Sequence, residues 1–415
     1  MKFALACYGT RGDVEPGAAI GRELLRRGHD VRMAVPPDLV GFVEAAGVAA
    51  AAYGLDTQKW LHEQRDFWRI VYRHFWKIHD LRRSWRKAWK PATECWAQMN
   101  TPLISLAEGA DLLVTGSVFE GAAANIAEYY AIPLATVHIY PARAHGQFLK
   151  RLAGSLGERL VWHMCRKVDD AQRRALGLPK EARPVSRRIS ERGSLEIQAY
   201  DEVCFPGLAA EWAKFDGQRP FVGALTLQLP TDTDAEIASW IAAGSPPIYF
   251  GFGSIPVESP ADTLAMIAEA CARLGQRALV CAGWSDFSNM PDLGHVKVVG
   301  AVNYATVFPA CRAVVHHGGA GTTAAGLRAG VPQLILWTLH DQPTWAARIK
   351  CLKVGFGRRF LSTTSESLVA DLRTILAPRC AARAREIATR MSTPADSVAT
   401  AADLLEDFAR SWRAG

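Results

Sequence analysis

The sequence predicts an α/β protein made of two doubly wound, Rossmann-like domains facing a cleft. Three observations predict it. Short apolar runs alternate with helical stretches from the first residues, as a parallel sheet with crossover helices requires. The alternation restarts at Ile248, after a Thr-, Asp- and Pro-rich stretch (225–247) that reads as a linker. In each half the first strand runs into a glycine-punctuated turn, beginning at Gly9 in one and at Gly251 in the other. The carboxyl ends of strands are where open α/β sheets bind ligands. The expected divisions are an N-terminal domain over 1–229, a linker over 230–247, a C-terminal domain over 248–394 and a final helix over 395–415.

Taken in order, Lys2 to Cys7 is an apolar strand, and Gly9 to Pro16 (GTRGDVEP) is read as a polar loop carrying Asp13. Pro16 suits the first turn of a helix continuing over Ala18 to Arg27, which Gly28 caps. A strand over Val31 to Val35 and a helix over Leu39 to Ala46 complete a βαβα opening. From about 59 to 96 the composition changes. Lys and Arg are interleaved with Trp60, Trp68, Trp76, Trp85 and Trp89 at loosely helical spacing. This insertion suits helices that wall an apolar pocket, lie at a lipid surface, or pack as a solvated appendage; base stacking is the remaining use of such a pattern. Alternation resumes with strands at Leu112 to Thr115 and Leu134 to His138 around the helix Glu120 to Tyr130. A basic helical region (144–192) follows, then short strands at Glu196 to Gln198, Val203 to Phe205 and Phe221 to Gly223.

The second half reads as strands at Ile248 to Phe250, Ala278 to Ala282 and Val296 to Val299, a helix over Ala261 to Leu274, and a short helical segment at Ala305 to Pro309. Its centre is VVHHGGAGTTAAGLRAGVPQLILWTLHDQPTWAAR, from Val314 to Arg348. Here an apolar run meets His316 and His317, then Gly318, Gly319 and Gly321, then a helix start. Glycines let backbone amides approach an anion, and the free N–H groups of a first helical turn favour negative charge. A phosphorylated ligand is the expected occupant. His316 points to the opposite side of the strand from His317 and is read as structural. Asp341 and Gln342 follow the next strand, Gln333 to Trp337, at its carboxyl end. The tail from Ala395 to Trp412 reads as an amphipathic helix.

Composition bounds the class. The 415 residues are 49% hydrophobic with a net charge of +7 and a pI near 9.0, a globular protein whose basic surface suits acidic ligands, an anionic membrane surface or nucleic acid. Nine scattered cysteines without a CxxC pair read as reduced, buried core residues of a cytoplasmic protein. No apolar run reaches the ~18 residues of a membrane span, and the N-terminus is too briefly apolar for a signal peptide.

The GTRGDVEP loop, the FGFGS turn and HHGGAGTTAAGLRAGVP followed by DQP resemble the family 1 glycosyltransferases of the GT-B fold. The similarity lies closest to the sterol glucosyltransferases, the vancomycin-type antibiotic glycosyltransferases and the mycobacterial glycopeptidolipid glycosyltransferases, and covers both halves in order. The resemblance implies that the first domain binds the acceptor, the second binds the nucleotide sugar, and the final helix packs back on the first. His317, Gly319, Gly321 and Thr322 would hold the donor diphosphate, with Ser254 closing on it. Asp341 and Gln342 would bind the donor sugar, Trp284 and Val302 would border the nucleoside, and Thr10, Trp68 and His138 the acceptor.

Asp13 stands where plant relatives carry a base histidine and would deprotonate the acceptor hydroxyl. A helix N-terminus depresses a carboxyl pKa, whereas desolvation raises it. Glu15 reads as a dipole partner of the same turn. Plant relatives carry an acidic residue eight positions after the phosphate histidine to grip the ribose; here it is Ala325, so a uridine or a deoxythymidine diphosphate sugar suits equally. The acceptor is expected to be apolar: a lipid, glycopeptidolipid, sterol or secondary metabolite. A peripheral contact at the inner face of the membrane accords with the basic surface, and no nucleic-acid partner is expected.

Other patterns compete. Gly319 to Ala324 fits GxGxxA with Asp341 further on, which would make an NAD(P)-dependent dehydrogenase, yet that fingerprint normally opens its domain. Asp232-Thr233-Asp234 resembles a DxD metal site but sits in the linker without a buried strand before it, so no metal and no resident cofactor are expected. A non-catalytic nucleotide- or lipid-binding protein of the same fold is the remaining alternative.

Overall fold

The computed structural model describes residues 1–58, 78–143, 162–163, 165–215, 217–253, 259–283, 294–338 and 341–414, with residues 78–90 and 414 described by their backbone alone. They form two compact units. The first comprises Met1–Ala199, Gly207–Leu227 and Pro394–Gly415, the second Tyr200–Pro206 and Gln228–Thr393.

The first unit is built on a parallel sheet of β1 (Lys2–Ala6), β2 (Asp30–Val35), β3 (Ala50–Ala52), β4 (Leu112–Gly116), β5 (Leu134–His138) and β6 (Leu195–Gln198), in the order β3-β2-β1-β4-β5-β6. The second carries β7 (Ile248–Gly251), β8 (Ala278–Cys281), β9 (Val296–Val299), β10 (Ala313–His316), β11 (Gln333–Trp337) and β12 (Gly355–Arg359), in the order β12-β11-β10-β7-β8-β9. Counted from its own first strand, each sheet has the order 3-2-1-4-5-6. The switch points are therefore β1 beside β4, registered Ala4 to Leu113, and β7 beside β10, registered Phe250 to Val315. Ligand crevices of doubly wound sheets open outside the carboxyl ends of these strand pairs.

The strands form because their residues bury both faces. Phe3, Leu5, Val114, Tyr249, Phe250, Val314 and Val315 have no accessible surface, as parallel strands sandwiched by helices require. The helix Pro394–Ala414 completes the first unit, with Ala401, Ala402, Leu405 and Ala409 wholly buried. The Arg27 guanidinium fixes it by donating to Asp403 at 2.6 Å, Glu406 at 3.1 Å and the Ala399 carbonyl at 3.1 Å.

Several elements depart from expectation. Val203 to Phe205 is a single 3-10 turn, Glu202–Cys204, because Pro206 and Gly207 leave an extended run no room; Phe221 contributes only a bridge to Gln198. The stretch read as linker contains the helix Asp234–Ala242, anchored by buried Ile237. The Asp234 carboxylate there accepts from the Thr231 amide and hydroxyl at 2.9 and 2.5 Å, so its oxygens hold a turn. The edge strands β3, of three alanines, and β12, GFGRR, carry none of the branched apolar residues by which strands are read. Seven of the nine cysteines are buried, whereas Cys165 is half-buried and Cys351 exposed. Among the described residues no helix is long and apolar enough to cross a membrane.

Candidate active site

In the first unit β1 delivers the chain to Gly9, where the helix Arg11–Arg26 begins with Thr10 as its N-cap. The expected polar loop is thus already helix: Asp13 is the third helical residue and Pro16 lies inside the helix. A capping pattern explains the early start. The Asp13 carboxylate reaches back to accept from the Thr10 amide at 2.8 Å and the Thr10 hydroxyl at 3.0 Å. Burial raises the Asp13 pKa to about 6, against the pull of the Thr10 hydroxyl, the Thr10 amide and its own amide. Desolvation therefore outweighs the helix end, the reverse of the usual first-turn carboxylate. Gly9 has φ +129°, and a Cβ there would run into the Asp13 carboxyl, so the turn requires glycine. Thr57, fully buried, secures it by donating to the Gly9 carbonyl at 3.0 Å. Glu15 accepts from the Leu227 amide at 2.9 Å and pairs with Arg11 at 3.3 Å, tying the helix to the end of the Gly207–Leu227 segment.

In the second unit β10 ends at His316, and the helix Ala320–Arg328 starts three residues after His317 with no side chain capping its N-terminus. The first-turn N–H groups of such an end have no intrahelical acceptor. His316 is wholly buried and structural: it accepts from the Gly318 amide at 3.1 Å, which places its proton on Nε2, facing Gln333 Oε1 at 2.8 Å. Gln333 Nε2 in turn donates to the Thr323 carbonyl at 3.2 Å, so strand, loop and helix share one buried network.

The neighbouring His317 lies over the turn. A Cβ on Gly319 would stand 2.7 Å from its Nε2 and one on Gly253 2.5 Å from its Cε1, so both glycines clear space for the ring. Its Nδ1 is buried without a hydrogen-bond partner among the described residues. Burial lowers its pKa to about 4, partly offset by the Gly251 backbone, so the imidazole is neutral at physiological pH.

Comparison with known proteins assigns the family. Residues 3–149 match the glycosyltransferase family 28 N-terminal domain, and residues 277–406 the erythromycin biosynthesis protein CIII-like C-terminal domain. An uncharacterised glycosyltransferase of Mycobacterium tuberculosis is 59% identical over 100% of both chains. The chain is a GT-B glycosyltransferase. Glycosyltransferase GtfE of Amycolatopsis orientalis is 31% identical, over 98% of this glycosyltransferase and 97% of the relative. In fold it matches the Streptomyces enzyme SsfS6, whose structure was solved with thymidine diphosphate, at a TM-score of 0.62 and 20% identity, covering 96% of this chain and 99% of that one.

The other expected site residues of the glycosyltransferase fall as follows. Gly321 is half-buried and Thr322 buried in the first turn after His317. Asp341 stands at the N-cap position of the helix Gln342–Leu352 without a side-chain capping bond, and its carboxylate accepts from the Trp345 indole N–H at 3.2 Å. Gln342, 4% exposed, packs beside Gly318, and its side-chain oxygen is engaged by the Thr338 amide at 2.7 Å. Val302 lies half-buried against the apolar cluster of Tyr249 and Phe308. Ala325 packs on the same cluster. His138, expected at an acceptor, has no accessible surface: its Nε2 is hydrogen-bonded to the Thr136 hydroxyl at 2.8 Å and lies 3.8 Å from a Glu196 oxygen, and burial lowers its pKa to about 3. Trp68, Ser254 and Trp284 lie outside the described residues.

Two positions escape the sequence reading. Gln333 is a polar residue opening an otherwise apolar strand, a mark that was visible; Thr57 is a lone threonine with no local signal.

Proposed function

We propose that the enzyme transfers a hexose or deoxyhexose from a UDP or dTDP sugar to a hydroxyl of an apolar acceptor, by a single inverting displacement that needs no metal. The observation that carries this reading is the Asp13 carboxyl, raised to about 6 by burial at the carboxyl end of β1 while Thr10 fixes its orientation. Such a group is ionised at neutral pH and is a stronger base than an ordinary carboxylate. It takes the acceptor's hydroxyl proton as that oxygen attacks the anomeric carbon. The bond from that carbon to the diphosphate breaks, and the configuration inverts.

The leaving diphosphate is met by the uncapped helix start at Ala320, by Gly319, Gly321 and Thr322, and by the His317 imidazole, a neutral donor. Asp341 and Gln342 hold the sugar hydroxyls. The thymidine diphosphate bound by SsfS6 and the absence of an acid at Ala325 support a deoxythymidine nucleotide beside uridine. The apolar acceptor, a lipid, glycopeptidolipid, sterol or secondary metabolite, is supported by the Trp- and Arg-rich composition of residues 59–96 and by the similarity, at 29% identity, to the vancomycin aglycone glucosyltransferase of Amycolatopsis orientalis.

The test is turnover of UDP-glucose, dTDP-glucose and dTDP-rhamnose with a panel of such acceptors, reading release of nucleoside diphosphate and the anomeric configuration of the product. Inversion, turnover that survives chelation by EDTA, and its loss in Asp13→Ala are expected. Retention of configuration or full activity of Asp13→Ala would overturn the proposal.

A further inference from the structure

Trp345 is 2% exposed and makes two bonds to one residue. Its amide donates to the Asp341 carbonyl at 3.2 Å as part of the first helical turn, and its indole N–H donates to Asp341 Oδ2 at 3.2 Å. The ring has no freedom to leave that position. Phe205 meets it edge-on with centroids 5.2 Å apart, and Tyr200 does so at 6.3 Å. Phe205 and Tyr200 are themselves in edge contact at 5.0 Å. All three rings are buried, so turning the indole would empty a packed site in the interior.

The segment that supplies two of these rings, Tyr200–Pro206, belongs to the second unit although the chain on either side of it builds the first. It is pinned independently of the rings. Asp201 accepts from the Ser392 amide at 2.6 Å, and Arg328 donates to the Ser392 carbonyl at 2.7 Å.

We infer that Trp345 is a positioning residue for sugar recognition, its indole N–H fixing the plane of the Asp341 carboxylate and the Tyr200–Phe205 pair fixing the indole. This rests on the reading of Asp341 as a sugar-binding group. The chemistry requires such a fixture. A carboxylate that discriminates among sugar hydroxyls must present its oxygens at a set angle, and an aspartate at the mouth of a helix otherwise rotates about its own side chain. An indole donor locked by two aromatic edges supplies that constraint without adding a charge that would compete with the sugar.

The inference is tested by titrating the full-length protein with dTDP, UDP, dTDP-glucose and UDP-glucose, and by donor-hydrolysis kinetics with the same two sugars. Trp345→Phe removes the N–H and keeps an aromatic ring. It should leave the affinity for dTDP and UDP unchanged while lowering the extra affinity and kcat/KM that the sugar confers by about tenfold, the worth of a hydrogen bond to a charged group. Trp345→His, which keeps an N–H, should recover part of that loss. Phe205→Leu, which thins the packing that fixes the indole and leaves the N–H, should lower the melting temperature and weaken the sugar preference by less than Trp345→Phe does.

Asp341→Ala separates the two readings. If it too leaves sugar recognition intact, the sugar role of Asp341 is wrong. If Asp341→Ala abolishes recognition while folded Trp345→Phe behaves as wild type, the positioning inference is wrong. Should Trp345→Phe fail to fold, the double variant Tyr200→Phe/Phe205→Tyr, which shifts the ring edges and keeps the indole, must change sugar preference for the inference to stand.

Discussion

Thr10 donates twice to the same oxygen of Asp13, at 2.8 Å through its amide and at 3.0 Å through its hydroxyl, yet the carboxyl sits at about 6 because burial outweighs both donors. As a base Asp13 must be ionised, so kcat/KM should rise with pH through an apparent pKa near 6 and level off above it. The Thr10 hydroxyl pulls that value down. Thr10→Val should therefore move the acid limb alkaline by on the order of half a unit to one unit. A pH profile of kcat/KM for the acceptor, measured with saturating donor, checks both.

The same carboxyl opposes folding. Its pKa is higher folded, about 6, than the ordinary 3.8, so the folded state binds the proton more tightly. That stabilisation is complete below the unfolded value and is lost as pH rises through about 6. Asp13→Asn cannot ionise and still accepts from Thr10. It should be inactive but more stable than wild type by ~1–3 kcal/mol at pH 7, the gap closing towards pH 4. Chemical denaturation at both pH values is the measurement.

Gly319→Ala should damage donor binding without unfolding the protein. A Cβ at that position stands 2.7 Å from His317 Nε2 and forces the imidazole aside. Nucleoside diphosphate affinity is expected to fall about tenfold or more, comparably to His317→Ala. His317→Gln, which keeps a side-chain N–H, should lose less. Calorimetric titration with dTDP and UDP separates the three variants.

Arg27→Ala removes the donors that hold Asp403, Glu406 and the Ala399 carbonyl. A loss of ~1–2 kcal/mol is expected. Scanning calorimetry should show it in the melting of the first unit, to which Arg27 and all three partners belong, with the second unit's transition unmoved.

Much of this was legible in the sequence. Strands such as Leu134 to His138, Val296 to Val299 and Gln333 to Trp337 are apolar runs bounded by turn residues, and the structure has them at those bounds. The alternation of strands and helices and the two glycine turns gave the fold class, and the glycines after His317 marked the helix start at Ala320. What was not legible depends on contacts between distant residues. Asp13 looked like a loop acid because a helix start is decided by Thr10 and Asp13 meeting each other, which composition does not record. The sign of its pKa shift followed from burial, a property of the assembled unit. That His138 has no accessible surface follows from the strands and side chains packed around it, Glu196 among them 58 residues away, and composition does not record that packing.

The helix Pro394–Ala414 has a consequence for biosynthesis. Its buried face fills the unit that holds Met1–Ala199, while Gln228–Thr393 intervenes in the sequence. With a chain growing at about 5–20 residues per second, every residue of the second unit has been made before the helix that closes the first. The domain started first is finished last. Until then the surface around Arg27 that receives the helix stays uncovered while the second unit is being made.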